Sequence, residues 1–355
     1  VFIGIFGACQ LLLEFMQSEA AMNTLLQYSS EFFEVHSFNG ETESHMAFKK
    51  GYPVGELEVR PLEKKERRTG TVTYWRPDLD VFTSISIPKE FFCEVLEKQA
   101  VVNAGLKFVL KFENHDGSFF EQEFIYPNGI SDYVARLAGD TAITQPVLWK
   151  MGETIGRDRE DKPEYKLFAD VSFCISNTVN VIEYYHNSSF LEHGGSPERA
   201  VKNAFVYSVD KQLKAKGKYN KNESKITFVD VADCLVYVSN GISTVVSWEN
   251  QTKKAVTNKF IQDMMTDFLK STLEIWFIEN KQEADKVCDQ ILVNKRSREQ
   301  AEKTRLNLKK KLSGEVNVLN RIQRFADCRT KDVSRRELYI VEGDSALGSV
   351  KLGRD

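Results

Sequence analysis

The sequence predicts a mixed fold of the α+β or α/β class, with strands dominating up to about residue 250 and long helices following. Three observations carry this. Short β-rich runs alternate with turn signals from residue 32 to 75 and again from 101 to 126. From residue 256 the apolar period becomes helical, with Phe260, Ile261, Met264, Met265, Phe268, Leu269 and Leu273 on one face. Near the C-terminal end, Leu338-Tyr339-Ile340-Val341 is a fully apolar run of the kind found in buried parallel strands.

With 355 residues, 42% of them hydrophobic, the chain has material for a large core and for two or three domains. Lys and Arg number 48 against 51 Asp and Glu, a net charge of −3. A nucleic-acid partner would therefore be met by a local basic stripe, not by the field of the whole molecule. Cys9, Cys93, Cys174, Cys234, Cys288 and Cys328 form no CxxC pair, so they suggest neither a zinc site nor a disulfide framework. A reducing, cytoplasmic setting fits. The apolar stretch 1–13 lacks a basic leader and is too short to cross a bilayer, so it reads as core, with no membrane partner. The opening at Val1 and the stop at Asp355 inside a helix-like segment suggest a piece of a longer protein.

Residues 32–38 read as a strand before the Asn39-Gly40 turn, and 70–75 as one before Arg76-Pro77-Asp78. Residues 106–112 and 119–126 flank His115-Asp116-Gly117-Ser118 as the arms of a hairpin. A charged loop, 156–163, leads into a strand at 166–176. After the Gly194-Gly195 turn, Ser196-Pro197 starts a helix whose apolar face is Val201, Ala204, Phe205 and Val209. The lysine-rich tract 211–225 reads as a solvated loop, and 226–229, 235–239 and 243–248 as strands. Beyond the long helix from 256, a second begins near Gln282 with a stripe of Ala284, Val287, Cys288, Ile291 and Leu292. It turns highly charged over 295–311, which suits either a solvent-facing helix with i,i+4 pairs or a basic helix facing DNA phosphates.

Two places carry chemistry. Glu342 sits at the carboxyl end of the apolar run, Gly343 permits a tight turn, and Asp344 or Ser345 can cap the helix that follows. Such a carboxylate suits Mg²⁺ at a phosphodiester, although an ordinary helix cap has the same four residues. Lys253 lies on a strand–helix loop near a helix N-terminus, which suits a phosphate, although the tripeptide by itself fits a solvated lysine better.

The longer strings carry a family resemblance. Glu337-Leu-Tyr-Ile-Val-Glu-Gly-Asp-Ser-Ala346, then Gly348-Ser349, Lys351 and Gly353-Arg354-Asp355, resembles the start of the TOPRIM domain in the B-type (ATPase) subunits of bacterial type IIA DNA topoisomerases, the gyrase B and topoisomerase IV B family. Leu347 departs from the family's usual glycine. Phe325-Ala326-Asp327-Cys328 resembles the family's Leu-Ala-Asp-Cys, but Ile322-Gln323-Arg324 replaces Pro-Gly-Lys. Asn250-Gln251-Thr252-Lys253 resembles the QTK loop. Thr69-Gly-Thr-Val-Thr-Tyr-Trp-Arg-Pro-Asp78 resembles the last ATPase strand, and Glu192-His193-Gly194-Gly195 the transducer's Glu-Gly-Gly.

The resemblance, covering about residues 31–355, implies three parts. Residues 1–84 would end a GHKL ATPase domain, 85–320 would form a ribosomal-S5-domain-2-like transducer with its QTK loop at 251–253 and helices over 255–312, and 321–355 would open TOPRIM. It implies ATP contacts at Thr71, Gln251 and Lys253, with the last two reaching the γ-phosphate. Glu342 would act in DNA cleavage and religation beside Mg²⁺, helped by a downstream Asp-x-Asp that does not occur here. Arg324, Lys351 and Arg354 would face DNA. The implied partners are double-stranded DNA, the A-type cleavage subunit and a second copy of the B-type subunit. The GHKL metal-binding Asn, general-base Glu and adenine-reading Asp have no counterpart here. The glycine-rich lid corresponds either to Gly4-Ile5-Phe6-Gly7-Ala8-Cys9, a bare GxxG, or, where 20–32 is aligned with the segment after the lid, to a stretch that offers no glycine. The chain by itself is therefore expected neither to hydrolyse ATP nor to cut DNA. A non-catalytic interaction module with a transducer fold, or another TOPRIM enzyme such as a primase or nuclease, remains an alternative.

Overall fold

The computed structural model describes residues 26–250, 253–314, 326, 330 and 332–353. The first sheet grows from alternating runs of aromatic and β-branched residues: β1 (Ser30–Asn39), β2 (Thr42–Lys49), β3 (Tyr52–Pro53), β4 (Glu58–Pro61) and β5 (Thr69–Pro77). Their order is β3-β2-β1-β5, with β4 also pairing β2. The Asn39-Gly40 turn forms as expected. Gly40 takes φ 98°, and the Asn39 side-chain oxygen accepts from the amides of Glu41 (2.9 Å) and Thr42 (2.8 Å). Period-two alternation sends Phe33 and Val35 toward Leu26 and Trp75, and Glu34 and His36 to the opposite face.

Next come α1 (Lys89–Val102), the antiparallel hairpin β6 (Phe108–Glu113) and β7 (Phe119–Phe124), and α2 (Ile130–Ala138). The second sheet has the order β11-β10-β12-β9-β8, built from β8 (Val147–Gly156), β9 (Tyr165–Ile175), β10 (Val181–His186), β11 (Ser189–Phe190) and β12 (Leu235–Ser243). Helices α3 (Ser196–Ala215), α4 (Phe228–Ala232), α5 (Lys259–Glu279) and α6 (Lys281–Gly314) complete the order up to residue 314.

Successive β12 residues feed two cores. Leu235 and Tyr237 join Val171 and Phe173 of β9, Ala204 and Phe205 of α3, and Met265 and Leu269 of α5. Val236 and Val238 point the other way, into a cluster with Cys174, Tyr185, Phe92 of α1, Val134 of α2 and Phe124 of β7. A strand covered on both faces tolerates no polar alternation, which is why Leu-Val-Tyr-Val reads as a continuous apolar run. Each such side chain contributes about 1.5–3 kcal/mol by leaving water. The stripes expected on α3, α5 and the start of α6 all lie in the first of these cores.

Several local expectations are corrected. Residues 226–229 are not a strand, because Thr227 and Asp230 form a reciprocal capping box that starts α4 and overrides the β propensity of Ile-Thr-Phe-Val. The strand expected at 235–239 extends as β12 to Ser243, and the second one expected at 243–248 does not form beyond it, apart from an isolated bridge at Trp248. Strand β12 runs through Gly241, where a Cβ would lie 2.5 Å from His186 Nδ1, so the missing side chain leaves room for that ring. Helix α3 takes in part of the lysine-rich tract, to Ala215. Helix α5 opens at Lys259, not near 256. The run 338–341 is not a strand: Leu338, Tyr339 and Ile340 are 76%, 64% and 89% exposed, and no described strand pairs with it. An apolar run becomes a strand only where a neighbour completes its ladder. Helices α1 and α2 and strands β8 and β10 were not anticipated.

The contacts divide the chain into a unit that runs to Lys295 and a second, Arg296–Asp355. The described part of the second holds the exposed end of α6, the 3₁₀ turn Val333–Arg335 and α7 (Asp344–Gly353), which starts right after Gly343, as expected. No helix among the described residues is long and apolar enough to cross a membrane. Gln251, Arg324, Arg354, the 1–13 stretch, the lid candidates before residue 26 and most of Phe325-Ala326-Asp327-Cys328 lie outside the described residues.

Candidate functional site

Lys253 sits in a loop closed at its base by backbone pairing. Trp248 and Val256 form an antiparallel bridge, Thr257 N–H donates to Ser247 O at 2.8 Å, and Glu249 N–H donates to Ala255 O at 3.0 Å. Within it Lys253 adopts φ 54° and donates its amide to Asn250 O at 3.3 Å. A left-handed conformation at a residue with a Cβ costs about 1–2 kcal/mol, so the surrounding loop must impose it. The side chain is only 9% exposed, and its ammonium lies 6.0 Å from the Trp248 ring centroid. The helix N-terminus expected close to Lys253, near Val256, lies instead at Lys259, where α5 begins.

The loop is clasped by the turn before α3. Gly195 and Val256 form a parallel bridge, Ser196 N–H donates to Val256 O at 2.7 Å, and His193 N–H donates to Lys254 O at 2.9 Å. The Lys254 ammonium pairs with Glu192, and that hydrogen bond holds the Glu192 carboxyl below the usual carboxylate range. The two short motifs, Glu192-His193-Gly194-Gly195 and the lysine loop, are therefore one structural unit. Sequence spacing alone did not join them.

A second layer fixes the loop's far end to α5. Asn258 accepts the Ser247 amide on Oδ1 at 2.6 Å and donates through Nδ2 to Asp158 Oδ2 at 2.7 Å. Asp158 Oδ1 accepts from the Tyr165 hydroxyl at 2.9 Å and from the Phe260 amide at 2.8 Å, in the first turn of α5. A carboxylate there satisfies an otherwise orphaned helix amide and complements the helix dipole. Burial, reinforced by the Asp158 bond, pushes the Tyr165 phenol well above its ordinary range. Sequence reading missed Asp158 and Asn258, the only signal being that the charged loop 156–163 carries an aspartate.

Other candidate residues stand elsewhere. Thr71 is exposed on β5 opposite Ser37, so it belongs to the first sheet, whereas Lys253 stands in the loop that follows β12 of the second. Glu342 is exposed in a bend, Gly343 takes φ 84°, and Leu347 N–H donates to Gly343 O at 3.2 Å as α7 begins. Lys351 lies in the last turn of α7. Glu342 alone does not make an Mg²⁺ cage. Among the described residues the group of three metal-ligating side chains is Glu34, His36 and His45, none of them near Glu342 in sequence. The described residues thus do not fit a resident Mg²⁺ at Glu342, and no chemical step is routed through one.

The architecture is that of the ATP-binding domains of type II topoisomerases of the gyrase B and topoisomerase IV kind. It is similar to the 43K ATPase domain of Thermus thermophilus gyrase B in complex with an aminocoumarin, with a TM-score of 0.62 at 21% identity over 84% of this chain and 77% of that one. It is also similar to the topoisomerase IV ATP-binding domain of Francisella tularensis in complex with a small-molecule inhibitor (TM-score 0.59, 20% identity, 80% and 74% covered). At these identities the likeness concerns fold. The family model for DNA gyrase B matches residues 129–307, half of the sequence, and the chain belongs to that family. The DNA gyrase B protein of Mycoplasmoides gallisepticum is 27% identical over 307 residues, 86% of this chain and 46% of that protein. That of Halalkalibacterium halodurans is 28% identical over 339 residues, 94% and 49%. The chain thus spans about half the length of the curated relatives it matches.

Proposed function

We propose that this chain is the ATP-responsive coupling part of a B-type subunit of a type II DNA topoisomerase, and that Lys253 is its phosphate sensor. The carrying observation is the clasp of the lysine loop onto the Glu192–Gly195 turn, because it links a nucleotide-facing cation mechanically to α3 and α5. A face-on contact with Trp248 is worth about 0.5–1 kcal/mol. A charge-assisted hydrogen bond to a phosphate is worth about 1.5–3 kcal/mol. Arrival of a γ-phosphate would draw the ammonium toward the nucleotide. Val256 would carry that movement to the start of α3, and Asn258 would carry it to the start of α5.

Within this reading Gln251 joins Lys253 at the γ-phosphate, and Thr71 lines the nucleotide pocket. The chain divides into the end of a GHKL domain (1–84), an S5-like transducer (85–320) and the start of TOPRIM (321–355). Glu342 is at most one carboxylate of an Mg²⁺ set that the described residues do not complete, and Arg324, Lys351 and Arg354 lie on the DNA side. The whole protein works in the cytoplasm on double-stranded DNA, with an A-type cleavage subunit and a second copy of itself, passing one duplex through a transient break in another at the expense of ATP. The test is Lys253→Ala in the full-length protein, where ATP turnover is expected to fall at least about tenfold while the melting temperature holds, the loss of one such bond being about 1.5–3 kcal/mol. Unchanged turnover refutes the assignment.

A further inference from the structure

The Asn39-Gly40 hairpin brings together two histidines that the sequence keeps nine positions apart. His36 on β1 and His45 on β2 are direct cross-strand partners, with stacked rings 4.4 Å between centroids, and Glu34 lies two residues along β1 on the same face. Glu34 Oε1 is 3.2 Å from His36 Nε2 and 2.6 Å from His45 Nε2. The three ligand atoms fall within 4.8 Å of one another, and the three side chains remain about a quarter exposed, which leaves a way in.

Each ring also turns its other nitrogen to a second carboxylate. His36 Nδ1 is 2.7 Å from Glu43 Oε1, and His45 Nδ1 is 3.6 Å from Glu58 Oε2. Arg60 in turn holds Glu43, its Nη2 lying 2.5 Å from Oε2. A neutral imidazole has one N–H and one lone pair. Between two carboxylates it can satisfy only one of them and must point its lone pair at the other. Protonating both rings removes that conflict but stacks two cations face to face. A divalent cation among the Nε2 atoms and Glu34 removes it without that cost: both lone pairs find an acceptor, the His36 Nδ1–H donates outward to Glu43, and His45 Nδ1 faces Glu58 at 3.6 Å. That is the carboxylate–histidine–metal pattern by which outer carboxylates orient ligating imidazoles.

We propose that Glu34, His36 and His45 form a site for Zn²⁺ or a similar borderline divalent ion, with Glu43 as its outer-shell partner. Two imidazoles and a carboxylate are the donor set such ions take, with the fourth position open to water. Metal–ligand bonds of about 2.0–2.1 Å in tetrahedral array put neighbouring ligand atoms about 3.3 Å apart. The 3.2 Å pair already meets this spacing, the 2.6 Å pair has to open by a side-chain adjustment, and the third separation lies within 4.8 Å. The site is independent of the nucleotide-sensing loop.

The test is titration of the chain with Zn²⁺ against a chromophoric chelator, together with nitrogen NMR shifts of the histidine rings. The chain is expected to take up one Zn²⁺ per molecule with both Nε2 resonances shifted, and His36→Gln, His45→Gln and Glu34→Gln each to bind at least tenfold more weakly. Glu43→Gln leaves the ligand atoms in place and is expected to weaken binding about tenfold, the usual effect of losing an outer-shell partner. Binding by the unaltered chain that is no tighter than that of a His36→Gln/His45→Gln double variant overturns the proposal. So do unshifted Nε2 resonances at saturating Zn²⁺, a result that does not depend on any variant folding.

Discussion

Gly195 and Val256 meet backbone to backbone. A Cβ built on Gly195 would lie 2.2 Å from the Val256 carbonyl oxygen, and Gly195 itself sits at φ 84°. No side chain fits there without separating the lysine loop from the start of α3. Gly195→Ala should therefore be destabilising twice over, by about 1–2 kcal/mol for the left-handed backbone and about 1–3 kcal/mol for the overpacking. Denaturant unfolding checks the sum. A loss below about 1 kcal/mol would mean that the clasp yields easily and does not couple loop to helix.

Asp158 and Asn258 should act as a unit. Each touches the other and both hold the opening of α5, so single substitutions to Ala are expected to cost about 1–3 kcal/mol apiece, while the double variant costs clearly less than their sum. A double-mutant cycle read by thermal or urea unfolding gives the coupling. Strict additivity would show that the 2.7 Å contact contributes nothing to stability.

The reach of the sequence is uneven for physical reasons. The strand at 166–176 was legible because β9 is apolar and bounded by a charged loop, and the α5 stripe because packing on one side imposes a clear period. Residues 338–341 have the composition of a buried strand yet are exposed, since composition records what a segment can bury and not whether a neighbour is there to bury it. Lys253 was found by its motif, but its clasp depends on pairing between residues about sixty positions apart. Glu34, His36 and His45 were invisible for a related reason. Only the hairpin register puts them on one face, and cysteine arithmetic looks past histidines.

His186 predicts a pH dependence. Its ring is fully buried, Nε2 lies 2.8 Å from Ser243 Oγ, and Nδ1 has no hydrogen-bond partner among the described residues. Burial without a countercharge pushes its pKa down to about 4. In the unfolded chain the ring titrates near its ordinary 6.5, so between pH 6.5 and 4 the unfolded state binds more protons. This contribution to stability is whole above pH 6.5 and drains away as pH falls toward 4, by roughly 3 kcal/mol. Urea unfolding across that range should show a slope that His186→Gln largely removes. The same slope in the variant would assign it to other groups.

Lys295 closes the apolar stripe of α6, fully buried, with its ammonium 3.2 Å from Glu223 Oε1. A buried charge is tolerable only while its partner stays, so removing one member should cost more than removing both. Glu223→Gln is expected to destabilise by about 3–5 kcal/mol, because it takes an anionic partner from a fully buried ammonium. Lys295→Met with Glu223→Gln replaces the ion pair by a packed apolar chain and a neutral amide, and should recover a large part of that loss. Chemical denaturation of the two single variants and the double variant decides between this and a loosely hydrated pair. If Glu223→Gln alone changes stability by less than about 1 kcal/mol, water reaches the ammonium and the pair is no anchor for the helix.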